Sequence, residues 1–240
     1  MPKGECLGVI FDLDGTLVAS EKLYFEATER LLNPLGHSLK ELTREEKAGI
    51  PGRSPIENME FYKKKFGLQD DPRTLAEWRM DRILELIDEK GVETLPCAKR
   101  FIEDLLKNGF RLALASSSPS RYVTKVLAVT GLANFFEVVI SGDQCTRYKP
   151  DPEIFLRSIE ALGVSKDKCV VFEDSHAGML AAKRIAVRVV GVRSEYTLDE
   201  HYSLADLVVT DFCSITAETV LLLLDGALNS APLPGGAQVR

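Results

Sequence analysis

The chain has 240 residues, 45% of them hydrophobic and 28% charged, enough for one sizeable core with a smaller domain beside it, and disorder over most of its length is excluded. Thirty Lys and Arg against 36 Asp and Glu leave a net charge of −6 with no long basic block, so no nucleic-acid partner is expected. Apolar runs such as Val220 to Leu224 fall far short of the roughly 20 residues of a membrane span, and no membrane partner is expected either.

From Met1 the chain runs straight into a short apolar strand, with no basic and apolar leader, and a cytoplasmic location is the expectation. Five scattered cysteines (Cys6, Cys97, Cys145, Cys169 and Cys213) never fall as Cys-x-x-Cys, a usage that fits reduced thiols. Three isolated histidines (His37, His176 and His201) offer no zinc cluster. A monomer is the expected state.

In chain order, the first β-rich run is Gly8 to Phe11. From about Ser20 to Gly91 the pattern is helical, with turns and no convincing strand, which predicts an inserted helical domain over 18–91. Its first helix turns Leu23, Tyr24, Ala27, Leu31 and Leu32 inward and ends near Pro34 and Gly36; its last runs from about Leu75 to Glu89 around Trp78, Ile83, Leu86 and Ile87. Beyond it, further strands are predicted over Arg111 to Ala115, Val138 to Ile140, Cys169 to Phe172, Val187 to Val192 and Leu207 to Val209. Helix-period stretches separate most of them. Ala98 to Asn108 aligns Phe101, Ile102, Leu105 and Leu106, and Glu153 to Leu162 aligns Ile154, Phe155, Ile159 and Leu162, each stopping at a glycine. Strands alternating with helices imply an α/β core over 1–17 and 92–225, a Rossmann-like parallel sheet with helices on both faces. The Gly-, Pro-, Ser- and Ala-rich segment 226–240 reads as a loose tail.

In an open parallel sheet, ligands sit beyond the carboxyl ends of the strands. There the sequence places Asp12 and Asp14 after the first strand, Ser116, Ser117 and Ser118 after the second, a loop reaching Lys149 after the third, and Glu173, Asp174 and Ser175 after the fourth. Carboxylates gathered around one lysine make a hard oxygen site suited to Mg²⁺ and a phosphate. Asp12 is placed to attack phosphorus and Asp14, past a turn eased by Gly15, to protonate the leaving oxygen. Singly each residue reads as a turn, cap or surface group. Together, Phe-Asp-x-Asp-Gly-Thr fixes five residue types and would arise by chance roughly once in 10⁴ chains of this length.

With these motifs the chain resembles the haloacid dehalogenase superfamily of phosphohydrolases, and within it the β-phosphoglucomutase-like sugar phosphatases, over nearly its whole length. Phe11 to Leu17, Ala115 to Ser118, Lys149 to Pro152 and Phe172 to Gly178 are similar to the four motifs of that family in order and spacing. The resemblance implies Asp12 as nucleophile, Asp14 as general acid and base, Ser116, Ser117 and Lys149 as phosphate holders, and Asp12, the Asp14 carbonyl and Asp174 as Mg²⁺ ligands. Glu173 is implied as an accessory ligand or as the partner of Lys149. The helical insertion is similar to the cap that closes over the site in this family, so a small phosphorylated metabolite, a sugar or polyol phosphate, is the implied substrate. Within it, Arg53 is implied as a fork for substrate oxygens, against an exposed loop arginine. Arg79 is a second contact or a solvated helix residue, and Lys63 to Lys65 an exposed helix face.

Three positions depart from the family pattern. Tyr24 stands where the mutases of the family carry a His, and a phenol with a pKa near 10 is a poor base at neutral pH. That favours an Mg²⁺-dependent phosphatase acting through an aspartyl phosphate over a hexose phosphomutase. Ala19 replaces a common acidic residue and bears on the hinge, and Cys97 replaces a frequent Gly at a helix start. A third reading, a non-catalytic binding module, would be expected to have lost one of Asp12, Asp14, Lys149 or Asp174, and all four are present.

Overall fold

The computed structural model describes residues 6–50, 53–228 and 238–239. Its centre is a sheet of β1 (Leu7–Phe11), β2 (Phe110–Ser116), β3 (Val138–Ser141), β4 (Cys169–Glu173), β5 (Arg188–Val192), β6 (Leu207–Val209) and β7 (Gln238–Val239), in the order β3-β2-β1-β4-β5-β6-β7. The first six run parallel. All six strand segments predicted from sequence are present, within two residues at each end.

Side chains of a strand alternate between faces, and both faces are apolar here. Val9 and Phe11 of β1 pack with Phe101, Leu114, Phe172 and Phe212, beneath α5 (Ala98–Lys107), α6 (Ser120–Thr130) and α9 (Ala217–Leu224). Ile10, between them in sequence, packs the other way with Phe155, Val171 and Met179, beneath α7 (Glu153–Leu162) and α8 (His176–Arg184). Because β1 is central and its neighbours β2 and β4 are parallel to it, the residues following these three strands emerge side by side at one edge of the sheet.

Between β1 and β2 lie α1 (Glu21–Leu32), α2 (Arg44–Ala48), α3 (Pro55–Phe66) and α4 (Pro72–Lys90). Sequence chemistry sets their ends. Ser54 caps α3 and shares a reciprocal pair of bonds with Glu57, Pro55 occupies the first helical position, and Asp71 caps α4. These helices have an apolar centre of their own in Leu32, Met59, Tyr62, Phe66 and Leu75, while Leu23 and Ala27 of α1 and Ile83 and Leu86 of α4 join the main core. The two chain crossings are hydrogen-bonded to each other, Ala19 N to Glu93 O at 2.9 Å and Leu95 N to Leu17 O at 2.8 Å. The bonds at this hinge are made by backbone, so the side chain missing at Ala19 is not what forms it. Trp78, expected inward, is only half-buried, with Arg82 over its ring at 5.7 Å. Lys63 to Lys65 end α3, where Lys63 binds the Gln69 and Asp70 carbonyls and Lys65 pairs with Glu46.

Two sequence expectations are corrected. Cys97 and Cys213, read as free thiols, form a disulfide, with Cα atoms 5.0 Å apart. Their separation of 116 residues carried no signal; the loop after β6 folds back onto the start of α5, where Arg100 binds the Cys213 carbonyl at 2.8 Å. Cys97 precedes α5 with φ 62°, the left-handed region where glycine is unstrained. In the tail expected to be loose, Leu228 is buried and Gln238–Val239 pair antiparallel with β6; the remainder, 229–237 and 240, lies outside the described residues.

Candidate active site

Lys149 lies in the loop between β3 and α7, is 2% exposed, and holds three strand ends together. Its Nζ donates to Asp12 Oδ1 at 2.5 Å, to Glu173 Oε1 at 2.5 Å and to the Ala115 carbonyl at 3.2 Å. Burial alone pushes its pKa down, but Asp12 and Glu173 outweigh burial and hold the ammonium above its ordinary value. Glu173 is fully buried, and its second oxygen accepts from the Ser175 amide and hydroxyl, both at 2.8 Å. With both oxygens engaged, Glu173 is built as the partner of Lys149 and does not line the pocket.

Asp12 faces that pocket. Burial raises its pKa well above the usual carboxylate range, against the pull of Lys149 and with the push of Glu173 and Asp14. Asp174 is 2% exposed and shifted the same way by burial, Glu173, Asp12 and Glu21. The Thr16 hydroxyl donates to it at 3.2 Å. Gly15 turns with φ 77°, and a Cβ there would stand 2.4 Å from an Asp174 oxygen and 2.7 Å from Glu21 Oε1, so both backbone freedom and close approach require glycine.

Asp14 accepts three side-chain hydrogen bonds. One oxygen accepts from the Ser20 hydroxyl at 2.6 Å and from the Tyr122 hydroxyl; the other accepts from the Ser118 hydroxyl at 2.8 Å. Ser118 in turn meets the Tyr24 hydroxyl at 2.9 Å. Burial and the Asp14 charge push the Tyr24 phenol far above its ordinary pKa. Sequence reading placed Ser118 at the end of the second strand without pairing it with Asp14, and it missed Ser20 and Tyr122. Ser118 and Tyr122, four apart across the start of α6, carried a faint helical-spacing signal; Ser20 carried none.

These groups line a cavity of about 100 Å³. Asp12, Asp14 and Asp174 form its floor; Arg53, just before α3, and Asn58 and Arg79, on α3 and α4, form its roof. Ser117 and Ser118 reach it, whereas the Ser116 hydroxyl, at the end of β2, accepts from the Ser118 amide at 3.1 Å. Arg53 is exposed, with its guanidinium 5.8 Å from the Phe61 ring. Arg79 is 2% exposed, which overturns its reading as a solvated helix residue.

Asp12 and Asp174 of the floor, with Glu173 buried behind them, gather against one ammonium. Two of these carboxylates are held toward the neutral form by burial and mutual repulsion, and oxygen donors carrying such excess charge suit a hard divalent cation. Among the described residues no three His, Cys, Asp or Glu side chains are gathered as a complete ligand set. That composition fits Mg²⁺, which takes one or two carboxylates and fills its shell with water and phosphate oxygen.

The model of the haloacid dehalogenase-like hydrolases matches residues 9–192. A phosphorylated carbohydrates phosphatase of Thermotoga maritima is 36% identical over 186 residues, 77% of this chain and 84% of that one. Hexitol phosphatase B of Escherichia coli is 28% identical over 219 residues, 90% and 97% of the two chains. Among solved structures, β-phosphoglucomutase from Clostridium difficile superposes with a TM-score of 0.78 at 25% identity, covering 93% of this chain and 99% of that one. The match spans β1 to β5 and every motif that supplies the floor, and the chain belongs to the haloacid dehalogenase-like hydrolases.

Proposed function

We propose that the protein is an Mg²⁺-dependent phosphatase that hydrolyses a small phosphate ester, a sugar or polyol phosphate, through an aspartyl phosphate on Asp12. The observation that carries this reading is the Asp12–Lys149–Glu173 chain at 2.5 Å per step beside Asp14. The likeness to phosphatases of phosphorylated carbohydrates and of hexitols supports the substrate class.

Asp12, the Asp14 carbonyl and Asp174 would hold the ion, which when bound spreads the charge of the phosphoryl oxygens. Lys149 fixes the Asp12 carboxylate and keeps its own proton, so its charge faces the oxygens in flight. An Asp12 oxygen attacks phosphorus as the ester oxygen leaves, and Asp14 gives that oxygen its proton. In the second half Asp14 takes a proton from water, which attacks the aspartyl phosphate and releases inorganic phosphate. Ser20, Tyr122 and Ser118 hold Asp14 at the rotamer both proton transfers need. Ser117 reaches the cavity, where it would receive phosphate oxygens, with the buried Ser116 behind it bracing the Ser118 amide, and the helices over 18–91 act as a cap that excludes bulk water.

The structural likeness to β-phosphoglucomutase supports a second reading, transfer to a sugar hydroxyl instead of water. Tyr24 counts against it, since a buried phenol raised above its ordinary pKa does not deprotonate an incoming hydroxyl. One assay decides both. Sugar, polyol and glycolate phosphates are incubated with Mg²⁺ while free phosphate and isomerised sugar phosphate are followed together. Phosphate release that stops with EDTA and in Asp12→Asn is expected. Isomer formation outrunning release would establish the mutase, and release by Asp12→Asn equal to wild type would overturn the aspartyl route.

A further inference from the structure

Arg79 is a buried cation without a counter-charge. It projects from the second turn of α4 and is 2% exposed, and among the described residues no carboxylate lies within the 4.0 Å of an ion pair. Its Nε is buried and has no hydrogen-bond partner. The nearest compensation is aromatic, the guanidinium lying 5.5 Å from the centroid of the Tyr24 ring. Chains seldom bury a guanidinium in this way, because the charge loses its water and gains nothing in return. Asn58, 7% exposed on the neighbouring helix α3, likewise has a buried amide oxygen with no partner. Both residues line the cavity whose opposite wall is Asp12, Asp14 and Asp174.

The cavity is thus divided by charge. Its carboxylate floor, with Lys149 behind it, is suited to the ester being cleaved; its roof presents unsatisfied polar groups, one of them cationic, that a bare hydroxyl chain would leave without a counter-charge. We propose that Arg79 is the counter-charge for a second anionic group of the substrate, a carboxylate or a further phosphate at the end remote from the cleaved ester. The inference rests on the phosphatase reading for its orientation, and it narrows that reading from phosphate esters in general to those with an anionic tail. Asn58 completes the same subsite, its unpartnered amide oxygen accepting from a substrate hydroxyl next to the tail.

The test separates binding from turnover. In an Asp12→Asn background with Mg²⁺, titration calorimetry compares 3-phosphoglycerate with glycerol 3-phosphate, and fructose 1,6-bisphosphate with fructose 1-phosphate. At least one anionic-tailed member is expected to bind ten or more times tighter than its match, and which pair shows it distinguishes a carboxylate from a phosphate tail. Adding Arg79→Met should abolish the difference while moving the affinity of the neutral-tailed ligand less than threefold, and Arg79→Lys should restore part of it. The melting temperature of ligand-free Arg79→Met should be no lower than that of its parent, since an unpaired buried charge is removed. Equal affinities within both pairs, equal loss for both members in Arg79→Met, or a lowered melting temperature would overturn the inference. Phosphate release by the wild type is scored separately. Release with no tail preference sinks this inference alone, whereas a tail preference in binding without release sinks only the phosphatase reading.

Discussion

At the scale of residues, one ammonium does the work that position alone would leave undone. Lys149 is drawn to Asp12 and Glu173 at the same 2.5 Å, and both acids are buried, so neither has water to fall back on. Replacing Lys149 by Met leaves carboxylates buried without a cation, a change expected to cost about 3–5 kcal/mol. Urea unfolding checks the loss, and phosphate release should fall with it. Asp12→Asn keeps the shape of the site and should retain the fold while lowering phosphate release by about 10³-fold or more. Glu21 supplies a pH dependence. Burial, with the Asp14 charge beside it, raises its pKa from 4.5 to about 7. The folded state therefore binds the proton more tightly than the unfolded state, and this group's contribution to stability declines as pH rises from about 4.5 to 7. In EDTA-containing buffer, Glu21→Gln should flatten that decline in melting temperature; an unchanged slope would refute the assignment. The floor was legible in the sequence because Asp12, Asp14, Lys149 and Asp174 each follow a predicted strand. The hydroxyls around Asp14 and the burial of Arg79 were not, because they depend on how each helix is rotated about its axis.

At the scale of elements, strand and helix periods located the six parallel strands and the helices α1, α4, α5 and α7, and the two long-range joins they missed have one cause. Cys97 with Cys213, and β7 with β6, join parts of the chain that no local pattern relates. The disulfide closes a loop of more than a hundred residues, a constraint on the unfolded chain of about 2–4 kcal/mol. Cys213→Ser should lower the melting temperature under oxidising conditions and leave it equal to that of wild type in excess dithiothreitol. If both conditions give equal melts for the wild type, the bond contributes nothing. Helix α8 shows the opposite dependence, of an element on one missing atom. A Cβ on Gly178 would stand 1.8 Å from Glu173 Oε1. Gly178→Ala must therefore displace the residue that positions Lys149, and it should destabilise by about 1–3 kcal/mol of overpacking and reduce turnover together, as paired melts and phosphate assays would show.

At the scale of the molecule, the inserted helices lean on the core through α6. Arg121 pairs with Glu77 and Asp81 of α4, each at 2.6 Å, and Lys125 pairs with Asp88. All are at the surface, where a pair contributes about 0–1 kcal/mol and salt weakens it. Arg121→Ala is expected to raise KM by about two- to fivefold with kcat little changed, and 0.5 M salt should shrink the gap between variant and wild type. A kcat effect without a KM effect would place Arg121 outside closure. Among the described residues no helix is long and apolar enough to cross a membrane.

The ribbon formed by Ala19 with Glu93 and Leu17 with Leu95 brings both ends of the insertion to one point. Floor residues follow strand ends and roof residues lie in the segment inserted between β1 and β2, with no position shared between them. Heritable change therefore has two independent tracks. Drift at Arg53, Asn58 or Arg79 alters which molecule is admitted and leaves bond breaking as it was, so a lineage can acquire new substrates without reinventing its chemistry.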